Sequence, residues 1–307
     1  MRFILSFLAL VVAGEALACA PSIQQPAYDP ATYYASTTNL TGAPLRAALN
    51  ALTRNHIVYS YSPCTWDMLM QADEDPDNSA NVIGFYTRRS IPKTNRDQGG
   101  NTPDYWNREH VWPNSHGFPS SGLAAYTDGH ALRAADKSVN ADRGNKDFAD
   151  GGTPNAECTA CLQTSTTWAP PDVVKGDTAR MVFYMDVRYE GGDGTGVGDL
   201  TAVDRLTSTG ESALGELCDL VNWHLADPVS ALETQRNAVI YSWQGNRNPF
   251  IDHPEFVLEL WGETCGIEIP TEPVTPAESD TDIPLPAWAL LSLTGMLGWV
   301  LRRQQKG

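Results

Sequence analysis

The first eighteen residues constrain the chain more than any others. Arg2 precedes an apolar run from Phe3 to Ala13, and Ala16-Leu17-Ala18 places small residues at the two positions a signal peptidase inspects. This pattern predicts a signal peptide over residues 1–18, export by the general secretory route and Cys19 as the mature N-terminus. The six cysteines, Cys19, Cys64, Cys158, Cys161, Cys218 and Cys265, then fold in an oxidising compartment, where an even number favours disulfides. Cys158 and Cys161 have zinc-ligand spacing, but no second close pair or His-x-His cluster accompanies them. Structural disulfides of open connectivity are therefore expected. A lipoprotein acylated at Cys19 is the competing reading, although Ala16 stands where a lipobox normally carries leucine.

With 307 residues, 42% of them hydrophobic and 19% charged, the chain has ample material for a core. The core-bearing region is read as one domain over residues 19–266. Leu45, Leu49, Leu52 and Ile57 have near-helical spacing and predict a helix over Pro44 to Ser60. Trp66, Leu69 and Met70 suggest another short helix, Asp73 to Asn81 an acidic loop, and Val82 to Thr87 a strand. Thr178 to Tyr189 reads as an amphipathic helix. Glu211–Ala226 and Val229–Trp243 read as a helical pair split by Pro228, and Phe256 to Trp261 as a final short helix.

Residues 267–282 are acidic and rich in Pro and Thr, the composition of an unstructured linker. Residues 283–307 combine Pro284 and Pro286, an apolar run of about seventeen residues ending at Leu301, and a basic end from Arg302 to Lys306. The layout resembles the C-terminal protein-sorting tails of Gram-negative bacteria, which implies sorting or membrane machinery as a partner. A permanent membrane anchor, held with its basic end in the cytoplasm, is the alternative.

Hydrolysis of a phosphodiester needs a base for water, a cation against the developing charge and donors that hold the phosphate. Asn107-Arg108-Glu109-His110-Val111-Trp112-Pro113 offers all three side-chain types together. On a strand, Glu109 and His110 would face opposite ways. Alone, a Glu-His dipeptide fits a surface loop equally well. Tyr126-Thr127-Asp128-Gly129-His130-Ala131-Leu132-Arg133 and Val139-Asn140-Ala141-Asp142-Arg143-Gly144-Asn145 follow within forty residues, and Gln244-Gly245-Asn246-Arg247-Asn248-Pro249-Phe250 with Asp252 comes later.

With these stretches in this order, the chain resembles the bacterial endonuclease I family, secreted or periplasmic nucleases with a ββα-metal, or His-Me, finger. The resemblance covers roughly Ala43 to Cys265. It implies an α+β fold, mixed helices and short strands around that finger. It implies His110 as general base on the first strand, and Glu109 and Asn140 as ligands of one divalent cation. Oxygen ligands suit magnesium, with manganese or calcium as substitutes, better than zinc. Arg133, Arg143 and Arg108 are candidate phosphate contacts, and His130 and Asn145 candidate supporting residues around the site. The implied activity is cleavage of DNA, and of RNA as a further substrate, with little sequence preference and 5′-phosphate products, by a monomer. The chain departs from the family at Gly129 and Ala131, where leucine and a second histidine are common, and at Ala134, where proline often stands.

The formal charge of −16 sits awkwardly with a polyanionic substrate. Residues 88–146 hold nine Lys or Arg against six Asp or Glu, a balance of +3 that leaves −19 elsewhere. Two other readings compete: a catalytically impaired scaffold that binds DNA or glycan at the cell surface, and a metal phosphoesterase acting on small phosphate esters. Two acidic stretches are set aside. Asp73 to Asp77 begins like a calcium loop but lacks its glycine and terminal glutamate, and Glu190 to Gly196 reads as a flexible acidic loop.

Overall fold

The computed structural model describes residues 19–100, 102 and 104–267. The predicted signal peptide, the C-terminal apolar run and nearly all of the predicted linker lie outside them. Helices α1 (Pro30–Tyr33), α2 (Gly42–Thr53) and α3 (Cys64–Ala72) lead into an antiparallel sheet of β1 (Glu74–Asp75), β2 (Asn78–Ile83) and β3 (Ser90–Pro92). Strands β4 (Trp106–His110) and β5 (Leu132–Asp136) pair antiparallel, and α4 (Lys137–Arg143) follows β5 directly. Strands β6 (Asp147–Phe148), β7 (Thr153–Pro154), β8 (Leu162–Gln163) and β9 (Thr167–Ala169) form a sheet ordered β6-β9-β8-β7. After α5 (Lys175–Arg188) comes a parallel pair, β10 (Thr201–Ala202) and β11 (Ala213–Leu214). Helices α6 (Leu217–Ala226), α7 (Ala231–Gln244), α8 (Pro249–Asp252) and α9 (Phe256–Trp261) complete the described residues. The fold class is α+β.

The centre of the main core is α5. Every residue from Gly176 to Arg188 is buried, so the predicted amphipathic helix has no solvent face. Its apolar side holds Phe183, stacked on Trp261 at 4.5 Å and edge-on to Phe250 at 5.9 Å. Its polar residues find partners inside the protein instead. Arg180 forms a fork with Glu233, with both N···O distances 2.6 Å. Asp186 accepts from the Ala202 amide at 2.7 Å and pairs with Arg46, and Arg188 pairs with Asp193 at 2.6 Å. A buried ion pair adds little net stability, but removing one partner costs about 3–5 kcal/mol because the other charge is stranded. Glu233 also completes the capping box of α7 with Ser230, and Gly245 ends that helix at φ 81°, a conformation that favours glycine. Capping therefore starts α7 at Ala231, just past the break at Pro228.

Several sequence expectations shift. The acidic stretch Asp73 to Asn81 is the start of a hairpin, because Asp75 and Asn78 pair across a tight turn. The strand predicted over Val82 to Thr87 begins earlier, at Asn78, and stops at Ile83, where a turn takes over. Residues 211–216 are a turn and β11 rather than helix, and α6 begins at Leu217. The disulfides are Cys19–Cys64, Cys158–Cys161 and Cys218–Cys265. The first corrects the lipoprotein reading, since the sulfur an acyl group would need is bonded to Cys64. Among the described residues no helix is long and apolar enough to cross a membrane.

Candidate active site

The antiparallel register pairs Glu109 with Arg133 and His110 with Leu132. Side chains alternate along a strand, and β4 shows this in its partners. Trp106, Arg108 and His110 turn toward Tyr61, Trp66 and Tyr126: Trp106 packs edge-on to Trp66 at 4.8 Å, and the Arg108 guanidinium lies 3.4 Å from the Tyr61 ring centre. Asn107 and Glu109 turn toward α4.

Two rungs join β4 to α4. The Asn140 amide donates to Asn107 Oδ1 at 2.8 Å, and Arg143 Nη1 approaches Glu109 Oε1 at 3.1 Å. Asn140 and Arg143 stand one helical turn apart, so Glu109 and Asn140 occupy diagonal corners of a four-residue frame. Arg143 also donates to the carbonyls of His110 at 3.0 Å and Val111 at 2.7 Å, pinning the end of β4. Tyr86 donates its hydroxyl to Glu109 Oε1 at 2.7 Å. The contacts from Tyr86 and Arg143 both fall on Oε1, and the His110 backbone amide donates to the same carboxylate. Burial pushes the Glu109 carboxyl up, against the opposing pull of Arg143 and Tyr86.

His110 is 7% exposed. Its Nε2 lies 2.9 Å from the Tyr126 carbonyl, and its ring meets the rings of Tyr126 at 4.5 Å and Tyr61 at 5.9 Å. Burial drives its pKa down to about 4, with the Tyr126 carbonyl opposing and the cations Arg108 and Arg143 assisting. The imidazole is therefore neutral at ordinary pH and can take a proton.

The remaining sequence-predicted residues lie as follows. Arg133 is 7% exposed and sits between Asp73 at 3.1 Å and Asp177 at 3.2 Å. Arg143 is fully buried within the frame just described. Arg108 stacks on Tyr61 and on Trp66 at 4.0 Å, and donates to the Tyr61 carbonyl, Ser62 and Thr65. Asn145 donates to Thr209 at 2.6 Å. His130 packs on Tyr184 at 4.7 Å and reaches the Asn246 carbonyl at 3.2 Å. It belongs to a buried network around Asp128, which accepts from Tyr184, Tyr189 and Gln244. Gly129 fits there because a Cβ would come within 2.4 Å of Met68 Sδ. Ala131 is fully buried in the main core.

Tyr86 and Tyr61 escaped the sequence reading. Neither lies in a polar motif, so only their partners reveal them. Among the described residues no three His, Cys, Asp or Glu side chains gather as a metal cage. The oxygens of Glu109 and Asn140 are the pair that β4 and α4 bring to one frame.

The strand-loop-strand-helix unit carries a neutral imidazole on one face of β4 and a buried carboxylate on the other. The chain belongs to the Endonuclease I family, whose model matches residues 41–255. It is a nuclease that hydrolyses phosphodiester bonds. Among its relatives are the extracellular ribonucleases of Bacillus amyloliquefaciens and Bacillus subtilis (strain 168), 44% and 45% identical over 237 residues. Each alignment covers 77% of this chain and 80% of the relative.

Proposed function

We propose that this nuclease is exported and uses one divalent cation, magnesium by preference, to cut RNA as well as DNA with little sequence preference. The β4–β5–α4 unit acts as a His-Me finger in this reading. The observation that carries it is the frame of Asn107, Glu109, Asn140 and Arg143, with neutral His110 next along β4 and its ring on the strand's other face. The donor set fits a hard cation. The Asn140 amide nitrogen is committed to Asn107, which leaves Oδ1 as its ligand atom, with the Glu109 carboxylate as the second. A cation held there would neutralise charge on the scissile phosphate and on the departing 3′ oxygen.

The other steps belong to side chains of this chain. His110 accepts the proton of the attacking water through the nitrogen not turned to Tyr126. Tyr61 and Tyr126 hold the ring against rotation, and Arg143 fixes the backbone on either side of it. Attack by water needs no 2′-hydroxyl, so the same residues serve RNA and DNA, and the phosphate stays on the 5′ side. The names of the two Bacillus relatives support RNA as a substrate and secretion as the destination. Ala131 removes no group from the Glu109–Asn140 pair.

Incubating the mature protein with RNA and with plasmid, with magnesium or with chelator, tests this reading. Cleavage of both substrates that chelator abolishes, and that His110→Ala lowers by about 10²–10⁴, is expected. Full cleavage in chelator would refute the cation.

A further inference from the structure

A cavity of about 450 Å³ is lined by Ser62, Pro63, Trp66, Arg96, Asp97, Gln98 and Arg108. Arg108 stands two residues before His110 on the same face of β4, about 7 Å along the strand. Tyr61 ties the two together, since its ring stacks on His110 and lies under the Arg108 guanidinium.

The charges around this cavity are not balanced in the usual way. Asp97 is taken by Lys137 at 3.0 Å. Asp67 is 1% exposed and accepts from the Cys19 nitrogen at 2.7 Å, so its contact with Arg96 is a loose 3.7 Å. Arg108 gives Nη1 to three oxygens of the 61–65 segment, while its buried Nε has no partner. No carboxylate lies within 4 Å of Arg108 among the described residues, and its guanidinium rests on the Tyr61 and Trp66 rings instead. A half-buried guanidinium without a counter-ion, facing a second that is weakly paired, makes a site for an anion.

We propose that this cavity is a substrate subsite that takes one nucleotide of the bound strand, its backbone phosphate held between Arg96 and Arg108. It rests on the nuclease reading above and adds the direction of the strand, which runs from His110 along β4 toward the first turn of α3. Ser62 and Gln98 border the same space and offer polar atoms to the sugar or base. Contact through the phosphate makes the subsite indifferent to sequence and to the 2′-hydroxyl.

The test uses the mature protein in chelator, where binding is read without cleavage, and fluorescent eight-nucleotide RNA and DNA strands as probes. Arg96→Gln is expected to weaken binding of both about tenfold and to lower the slope of log affinity on log salt by about 0.7, one phosphate's worth for a single strand. In magnesium the loss should appear in KM rather than in kcat. Arg96→Lys keeps the charge and should restore most of the affinity, which separates a phosphate contact from a folding defect. Equal affinity of Arg96→Gln and the parent protein would overturn the subsite and leave the nuclease reading intact. Arg96-dependent binding by a protein that never cuts would uphold the subsite and sink the nuclease reading.

Discussion

Side chains near β4 show how far a motif can be read without its partners. The sequence marked Glu109, His110 and Asn140 as chemical residues; the structure joins Glu109 and Asn140 in the β4–α4 frame, while the His110 ring lies on the opposite face of β4 against Tyr61 and Tyr126. It also marked Arg108, Arg133 and Arg143 alike as phosphate contacts, because residue type alone does not distinguish a free guanidinium from a paired one. Arg133 lies between two buried carboxylates, Asp73 and Asp177, and its ring-stacking partner Phe85 is 4.2 Å away. Removing it leaves Asp177 with only Arg180 at 3.8 Å among the described residues, while Asp73 keeps Arg236. Arg133→Met is therefore expected to lower unfolding free energy in urea by about 3–5 kcal/mol. Undiminished stability together with weakened nucleic-acid binding would restore the phosphate role instead.

Secondary elements were legible where one signal dominated. Apolar spacing located α3 and α9 and the body of α2, which ends at Thr53 rather than Ser60 and leaves Ile57 outside it, and Pro228 split α6 from α7. The signal misled where tertiary pairing outweighed local composition. Asp73 to Asn81 looks like a loop because it is acidic, yet Asp73 is buried against Arg133, Arg236 and the Ala134 amide, and these contacts hold the β1–β2 hairpin in place. No local pattern encodes partners sixty or more residues away. Cysteine connectivity was closed to the sequence for the same reason. The Cys218–Cys265 bond ties α6 to the segment after α9 across 47 residues. A loop of that length restricts the unfolded chain by about 4 kcal/mol. The double variant Cys218→Ser, Cys265→Ser is expected to unfold at correspondingly lower denaturant. An unchanged midpoint would mean that the packing of α9 on α2 and α6 suffices without the bond.

For the molecule as a whole, charge and titration set the working conditions. The excess of cations over residues 88–146 is smaller in effect than its count, since Arg89, Lys93, Arg133, Lys137 and Arg143 all pair with carboxylates. Long-range attraction to nucleic acid is correspondingly weak. Stability depends on buried imidazoles. Burial takes His130 and His224 down to about 4, and for His224 the Arg180 cation lowers it further while the Pro254 carbonyl opposes. Unfolded imidazoles titrate near 6.5. Between these values the unfolded chain binds more protons, so this stability is full above about pH 6.5 and is lost as pH falls toward 4. Asp186, raised to about 6 by burial against the pull of Arg46, acts in the opposite sense. Glu233, raised to about 7 by burial, acts with Asp186, and His110 acts with the other two imidazoles, so three of these groups oppose two. Melting temperature should therefore drop between pH 6.5 and 4.5, and His224→Gln should flatten the decline. An identical decline in that variant would remove His224 from the account.

The division of labour between cation and base is open to one titration. Mn2+ added to the parent protein, Asn140→Ala and His110→Ala, followed by the signal of free ion, reports binding apart from cleavage. One ion per chain is expected in the parent protein and in His110→Ala, with binding lost in Asn140→Ala. Parent-like affinity in Asn140→Ala, or loss of the ion in His110→Ala, would contradict the assignment of Glu109 and Asn140 to the cation and His110 to the water.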